Sequence, residues 1–87
     1  MTEPLIVGNL YITTAHFVTD RLVGCPKGTT LFVLKVKSSL DTESVLYTFL
    51  DDKGSVIYKT VYFTQLTPFL QTTFKLCSRA LNNTERS

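Results

Sequence analysis

Hydrophobic and polar positions alternate most regularly over Thr29 to Lys37, in the pattern of a β-strand. One face of this strand is apolar throughout and holds Phe32, Leu34 and Val36. The opposite face begins apolar and ends charged, with Leu31, Val33, Lys35 and Lys37. We therefore expect the strand to leave the core at its C-terminal end.

A second alternating region predicts a β-hairpin. Its arms, Ser44 to Leu50 and Ser55 to Phe63, flank the turn Asp51-Asp52-Lys53-Gly54, in which glycine can supply a positive φ. The apolar side chains of the first arm are Val45, Tyr47 and Phe49. On the second arm one face holds Val56 and Tyr58, and the other holds Ile57, Lys59, Val61 and Phe63.

The N-terminal third of the chain is less regular. Leu5 to Thr14 has the composition of a strand and is interrupted at Gly8-Asn9, which predicts a bulge or a turn. From Ala15 to Lys27 the alternation fades, and a long loop is predicted. Its apolar side chains are expected to fold back onto the core: Phe17, Val18, Leu22 and Val23.

The C-terminal segment has two interpretations. Thr67 and Pro68 suit the N-cap and first position of a helix, which is predicted over Pro68 to Leu81. Apolar side chains then recur at helical spacing, at Leu70, Phe74, Cys77 and Leu81. Because Thr72-Thr73 favours helix only weakly, a final strand through Thr73 to Cys77 is the alternative.

The length of 87 residues allows one domain, expected over residues 1–87 with a core at about 5–81 and a disordered tail at 82–87. Hydrophobic residues make up 44% of the chain and charged residues 18%, which excludes a disordered protein. Together with the alternating segments, the many threonines favour β structure. The predicted fold is mainly β, with four to five antiparallel strands in a barrel or roll and a C-terminal helix.

Two segments resemble strands of the SH3-like barrels. Val7 to Ile12 (VGNLYI) is similar to their opening strand, and Pro26 to Val36 (PKGTTLFVLKV) looks like their second strand, entered through a Lys-Gly-Thr turn. The resemblance covers about Leu5 to Phe63 and implies an SH3-like barrel, a build frequent among short accessory proteins of bacteriophages. The chain lacks tryptophan and the acidic first loop of signalling SH3 domains, so proline-rich peptide recognition is not implied.

Targeting signals and cysteine usage point to an intracellular protein. No basic region precedes an apolar run near the start, and the longest apolar stretch, Leu31 to Leu34, is far too short for a membrane span. A cytoplasmic location is therefore expected (the host cytoplasm if the protein is viral), with no membrane partner. Cys25 and Cys77 are too few for a disulfide framework and are expected to be reduced thiols.

The residue types needed for catalysis are scarce. His16 is the only histidine, neither cysteine has a base nearby in sequence, and no glycine-rich phosphate loop is present. Asp51-Asp52 is interpreted as a turn rather than as a catalytic pair. We expect a protein that is not an enzyme and has no metal or cofactor.

Protein binding and nucleic-acid binding remain as the two functional hypotheses. Ten aromatic residues exceed what a small core needs, so some are expected on a surface that binds a protein, with Phe17, Arg21 and Tyr62 as the site. An exposed strand edge could pair with a partner or a second copy, which leaves a homodimer open. Alternatively, the apolar face of the C-terminal helix could pack on a partner, although closing one end of the barrel is its simpler role.

The nucleic-acid hypothesis places the ligand on a stripe of lysines. Lys35, Lys37 and Lys59 would contact the backbone of the nucleic acid, with Tyr58 or Tyr62 stacking on its bases. The net charge of +2 makes the electrostatic contribution small, so protein binding is the preferred hypothesis.

Overall fold

Seven β-strands and one α-helix make up residues 5–78, the part of the chain that the computed structural model describes. In chain order they are β1 (Leu10–Thr13), β2 (Phe17–Val18), β3 (Gly24–Cys25), β4 (Thr30–Ser39), β5 (Ser44–Asp51), β6 (Val56–Tyr62), α1 (Phe63–Thr73) and β7 (Phe74–Ser78). Five strands form an antiparallel sheet in the order β6-β5-β4-β1-β7, and β2 and β3 form a separate two-stranded ribbon. The predicted mainly β fold of antiparallel strands with a helix towards the C-terminus is confirmed. Within the described residues the sheet is open rather than a closed barrel, with β6 and β7 at its edges.

The predicted hairpin is confirmed as β5 and β6. The two strands pair from Ser44 opposite Tyr62 to Leu50 opposite Val56. Their turn is closed by the Asp51 carboxylate, whose Oδ1 accepts hydrogen bonds from the backbone N–H groups of Lys53 and Ser55. Gly54 takes a φ of 84°, the conformation for which glycine was expected there.

A β-bulge at Leu34 changes the predicted faces of β4. Val33 lies opposite Phe49 while Lys35 lies opposite Thr48, so Leu34 is one extra residue between them. Before the bulge Leu31 and Val33 are buried, and after it Val36 packs against the core. The expectation that Lys35 and Lys37 share a face with Leu31 and Val33 is therefore wrong, as is the shared face of Phe32, Leu34 and Val36.

The core lies between the inner face of the sheet, the ribbon and α1. Its buried apolar side chains are Leu5, Tyr11, Phe17, Cys25, Leu31, Val33, Val45, Tyr47, Phe49, Val61 and Leu70. Phe17 comes from the ribbon, and its ring centroid lies 5.7 Å from that of Phe69 in α1 and 5.8 Å from that of Phe74 in β7. This aromatic cluster joins elements that are far apart in sequence.

The C-terminal segment combines both predicted alternatives. Helix α1 begins at Phe63, immediately after β6, and Pro68 lies inside it rather than at its first position. The helix ends at Thr73 because Phe74 turns into the core and β7 pairs with β1. Thr14 secures this point by donating its N–H to the Thr73 carbonyl at 2.6 Å and its hydroxyl to the Thr72 carbonyl at 2.8 Å.

Strand β7 thus corresponds to the alternative interpretation, and a helix reaching beyond Thr73 is corrected within the described residues. The predicted helix end at Leu81 and the predicted tail at 82–87 lie outside the described residues. Within residues 5–78, no helix has the length and apolarity needed to cross a membrane.

The predicted long loop contains the ribbon and only partly folds back onto the core. Phe17 is buried, whereas Val18, Leu22 and Val23 are exposed, so the expectation for these three residues is wrong. The interruption at Gly8-Asn9 is confirmed as a turn, in which Gly8 has a φ of 92°. Cys25 is buried, Cys77 is exposed and both are free thiols.

Candidate functional site

A half-open groove separates the β2–β3 ribbon from the turn and edge of the β5–β6 hairpin. We call it the ribbon groove; its volume is about 670 Å³. One wall is formed by the ribbon and the turn after it, from Thr19 to Thr29, and the other by residues 51–58 of the hairpin. The volume is in the range of cavities that hold small ligands or a few side chains of a partner.

The ribbon is held beside β6 by polar bonds that span about forty positions of sequence. Asp20 donates its N–H to the Tyr58 carbonyl, and its carboxylate accepts hydrogen bonds from the Thr60 N–H and hydroxyl. The Lys59 ammonium donates to the Val18 carbonyl at 2.8 Å and lies 5.7 Å from the centre of the Phe69 ring. These bonds hold the ribbon, one wall of the groove, beside β6.

The turn after the ribbon, which forms part of the groove wall, is held in place by Thr13 of β1. The buried Thr13 hydroxyl donates to the Pro26 carbonyl and accepts from the Thr29 N–H, both at 2.8 Å. Gly28 lies between them with a φ of 90°, which favours glycine, and donates its N–H to the Thr13 carbonyl. Burial raises the pKa of the neighbouring Cys25 thiol, which keeps it protonated at neutral pH.

Apolar side chains surround the mouth of the groove although they are open to solvent. Val23 is 59% exposed on the ribbon side, and Val56 and Tyr58 are 50% and 41% exposed on the hairpin side. Leu22 at the ribbon tip is 84% exposed and has a φ of 64°, which is uncommon for a leucine. This exposure of apolar surface is typical of a binding face.

Charged side chains also line the groove. Arg21 and Lys27 lie on the ribbon side, and Asp51, Asp52 and Lys53 belong to the hairpin turn. Asp51 is already bonded within the turn. The remaining charges can orient a polar ligand that enters between the walls.

The edge of β6 presents main-chain groups to the groove. The Tyr58 carbonyl and the Thr60 N–H both point away from β5, because each is bonded to Asp20. Main-chain groups alternate in direction along a strand, so the N–H and carbonyl of Val56 point the same way. Val56 lines the groove, and among the described strands none pairs with this edge.

A second, smaller cavity of about 280 Å³ lies on the outer face of the sheet. Its lining side chains, which we call the lysine patch, are Lys35, Lys37, Leu46, Thr48 and Tyr58. The bulge at Leu34 places both lysines on this face, opposite Thr48 and Leu46 of β5. Tyr58 belongs to both cavities, because it lies on the edge strand between them.

The structure separates the residues predicted to bind a protein. Phe17 is only 6% exposed and packs in the aromatic cluster, so its predicted place on a binding surface is wrong. Arg21 lines the ribbon groove. Tyr62 is 57% exposed but lies six residues along β6 from Val56, about 20 Å away at the rise of a strand.

The predicted lysine stripe is also divided. Lys35 and Lys37 lie together on the outer face, but the ammonium of Lys59 is bonded to Val18 on the opposite face. The expected stripe of three lysines is therefore reduced to two. Tyr58, one of the two tyrosines proposed for stacking, lies beside them. In residues 5–78, no three histidine, cysteine or acidic side chains are grouped to hold a metal ion.

Sequence reasoning missed the exposed apolar rim, because Val23 and Val56 have the composition of core positions. The signal that could have identified them lies in Asp20. A carboxylate between apolar residues in a long loop suggests a loop bonded to a strand edge, which would leave its apolar neighbours exposed.

Comparison with solved structures shows a similar fold. An integron cassette protein from the mobile metagenome of Vibrio cholerae superimposes with a TM-score of 0.66 at 17% sequence identity, covering 84% of this chain and 88% of that one. The sequence matches no family model and no curated protein. At this identity the likeness concerns the fold alone.

Proposed function

We propose that the protein is a non-catalytic interaction module that binds a partner polypeptide in the ribbon groove. The observation that carries the proposal is the set of exposed apolar side chains that line a groove of about 670 Å³, namely Val23, Val56 and Tyr58. The hydrophobic effect disfavours the exposure of these side chains in the free protein. A partner that covers them removes this unfavourable exposure. The module would act inside the cell as an accessory protein, of the kind that bacteriophages encode, by occluding a surface of a host or viral protein.

The mode of binding that we propose is addition of an extended segment to the edge of β6. The Val56 N–H and carbonyl face the groove, and a strand in the groove would pair with both. Asp20 already occupies the positions at Tyr58 and Thr60, so the added segment would end there. The side chains of the segment would contact Val23 on the ribbon side of the groove and Tyr58 on the hairpin side.

Charged groups of the rim would set the polarity of the preferred segment. Arg21 lies on the ribbon wall, and Lys27 and Lys53 lie nearby on the two sides of the groove. Asp52 is the one acidic lining residue whose carboxylate has no bond within the turn among those described. A segment with acidic residues flanking an apolar centre would therefore complement the groove.

Selection of a random-peptide library on the immobilised protein tests the proposal. We expect the selection to enrich extended apolar sequences with acidic flanks. These peptides should no longer bind the Val56→Pro variant. Proline removes the outward N–H but no hydrogen bond to β5, so the hairpin is expected to persist. Val56→Glu, which places charge in the groove, is the second variant if the proline variant does not fold.

Tyr62→Ala is the matched control, because Tyr62 is an exposed apolar residue of the same strand outside the groove. Enriched peptides should bind this variant as they bind the wild type. Peptides that bind all variants equally would contradict the groove as the site, and so would failure to enrich any peptide. Self-association abolished by Val56→Pro would instead identify a second copy as the partner.

A further inference from the structure

We infer that the lysine patch on the outer face of the sheet is a binding site for single-stranded nucleic acid. The patch is independent of the ribbon groove, apart from the shared Tyr58, and faces away from the core. The inference rests on three features of the patch: the alignment of its side chains across three strands, its charge, and its exposed aromatic ring.

The strand register aligns the patch in two rows. In the first row Lys35 of β4 lies opposite Thr48 of β5, and Thr48 lies opposite Tyr58 of β6. In the second row Lys37 lies opposite Leu46. Neighbouring strands are about 4.8 Å apart, so the strand positions of Lys35 and Tyr58 lie about 10 Å apart across β5.

The charge of the patch matches a phosphate backbone. Among the described residues its lining contains two ammonium groups and no carboxylate; the Asp20 carboxylate, bound to Thr60 across from Leu46, is not part of the lining. Residues at positions i and i+2 of a strand lie about 7 Å apart on the same face, so the two lysines can contact successive phosphates of one strand. Because of the bulge at Leu34, both lysines lie on the outer face of the sheet and not on the face that packs against the core.

The tyrosine selects single strands over duplex. Tyr58 is 41% exposed, and its ring borders the patch on the side away from the lysines. A base can stack on such a ring when it is unpaired, whereas the bases of a duplex are already stacked on each other. Leu46 and Thr48 form the floor between ring and cations, where a sugar would lie.

Fluorescence anisotropy with a labelled oligothymidylate tests this inference. Two phosphate contacts predict that log K falls with log salt with a slope of about −1.4, which weakens binding about sevenfold between about 50 and 200 mM salt. The double variant Lys35→Glu/Lys37→Glu should remove detectable binding, and Lys35→Gln/Lys37→Gln serves if charge reversal impairs folding. Tyr58→Ala should weaken binding at least about fivefold.

Two controls separate this site from the ribbon groove and from general attraction of anions. Val56→Pro and Lys53→Glu alter the groove, and both should retain oligothymidylate binding. A duplex of the same length should bind more weakly than the single strand. Failure of the groove variants to bind peptide while oligothymidylate still binds would confirm that the sites are separate.

Three outcomes would overturn the inference. The first is no binding of oligothymidylate even at about 50 mM salt, where the electrostatic contribution is strong. The second is binding that is unchanged in both double lysine variants. The third is equal competition by inorganic polyphosphate together with no effect of Tyr58→Ala, which would identify the patch as a general anion site.

Discussion

The carboxylate of Asp20 is bound to Thr60 through two hydrogen bonds, although the residues are 40 positions apart in sequence. Oδ1 accepts from the Thr60 N–H at 2.8 Å and Oδ2 accepts from the Thr60 hydroxyl at 2.6 Å. The N–H of Asp20 is in turn donated to the Tyr58 carbonyl. This one residue therefore takes the place that a neighbouring strand would occupy at the edge of β6, and it holds the ribbon that forms the groove.

Replacing Asp20 with alanine should loosen the ribbon without unfolding the sheet. The loss of two hydrogen bonds to a charged group that is open to solvent is expected to lower the free energy of unfolding by about 1–2 kcal/mol. Hydrogen exchange gives a local measurement, because the Thr60 amide is bonded to Asp20 while that of Val61 faces β5. The Thr60 amide should lose its protection and the Val61 amide should keep it.

The control for this variant is Asp52→Ala, which removes a carboxylate at the opposite end of the groove. It should leave the exchange of the Thr60 amide unchanged. Protection of Thr60 that survives in Asp20→Ala would show that the ribbon is held by other contacts.

Phe17→Ala should act on folding rather than on binding alone. Phe17 is buried against Phe69, Phe74 and Phe49, with ring centroids 5.7 to 6.5 Å apart. Truncation of such a ring leaves a cavity and is expected to cost about 3–5 kcal/mol. The midpoint of urea unfolding measures the loss.

Tyr62→Ala provides the comparison, because Tyr62 is an exposed aromatic residue and its truncation should change stability by no more than about 0.5 kcal/mol. Equal effects of the two substitutions would contradict the placement of Phe17 in the core.

Strand alternation predicted the hairpin and its turn, because local pairing and a glycine with positive φ are encoded over about twenty residues. The faces of β4 could not be predicted in the same way. Alternation over Leu31 to Lys37 is the same with or without a bulge, and the extra residue at Leu34 is defined only by the register against β5.

Even less of the candidate site could be predicted from the sequence, because the site depends on contacts between distant segments. Phe17 and Val23 belong to the same loop and are both apolar, yet one is buried and the other is exposed at the groove. What separates them is the docking of Asp20 on β6, a tertiary contact with no local pattern. The helix start was misplaced for a related reason: Phe63 follows β6 directly, and its N–H is bound by the Glu43 carbonyl rather than by a capping side chain.

Thr13→Val is expected to destabilise the protein despite its nearly identical shape. The Thr13 hydroxyl satisfies both the Pro26 carbonyl and the Thr29 N–H in a buried setting. Valine leaves the Thr29 N–H without that partner, whereas the Pro26 carbonyl keeps the hydrogen bond from the Thr29 hydroxyl, so the expected cost is about 1–3 kcal/mol. Urea unfolding measures this cost.

Thr14→Val is the matched control, because the Thr14 hydroxyl makes a single bond to the Thr72 carbonyl and is open to solvent. It should lower the free energy of unfolding by about 1 kcal/mol or less. If Thr13→Val is no more destabilising than Thr14→Val, the turn at Pro26 to Thr29 does not depend on Thr13.

Tyr47 should make stability fall at alkaline pH. The side chain is 2% exposed, and burial, assisted by the neighbouring Tyr11, raises the pKa of Tyr47 to about 12 from 10.0. A raised pKa means that the folded state favours the neutral phenol. The full contribution of Tyr47 to the free energy of unfolding is therefore present below about pH 10. As the pH rises through about 12, the unfolded chain ionises first and this contribution is lost.

The expected size of the loss is about 2–3 kcal/mol, because each unit of pKa difference corresponds to about 1.4 kcal/mol. Urea unfolding of the wild type and of Tyr47→Phe over this pH range isolates this loss of stability. Phenylalanine has no phenol to ionise, and the two proteins share all other ionisable groups. The stability of the wild type should decline relative to Tyr47→Phe between about pH 10 and 12. Tyr62→Phe, at an exposed position, should decline in parallel with the wild type. A constant difference between the wild type and Tyr47→Phe across this range would mean that the Tyr47 phenol ionises as readily in the folded protein as in the unfolded chain, and would contradict its burial against Phe49.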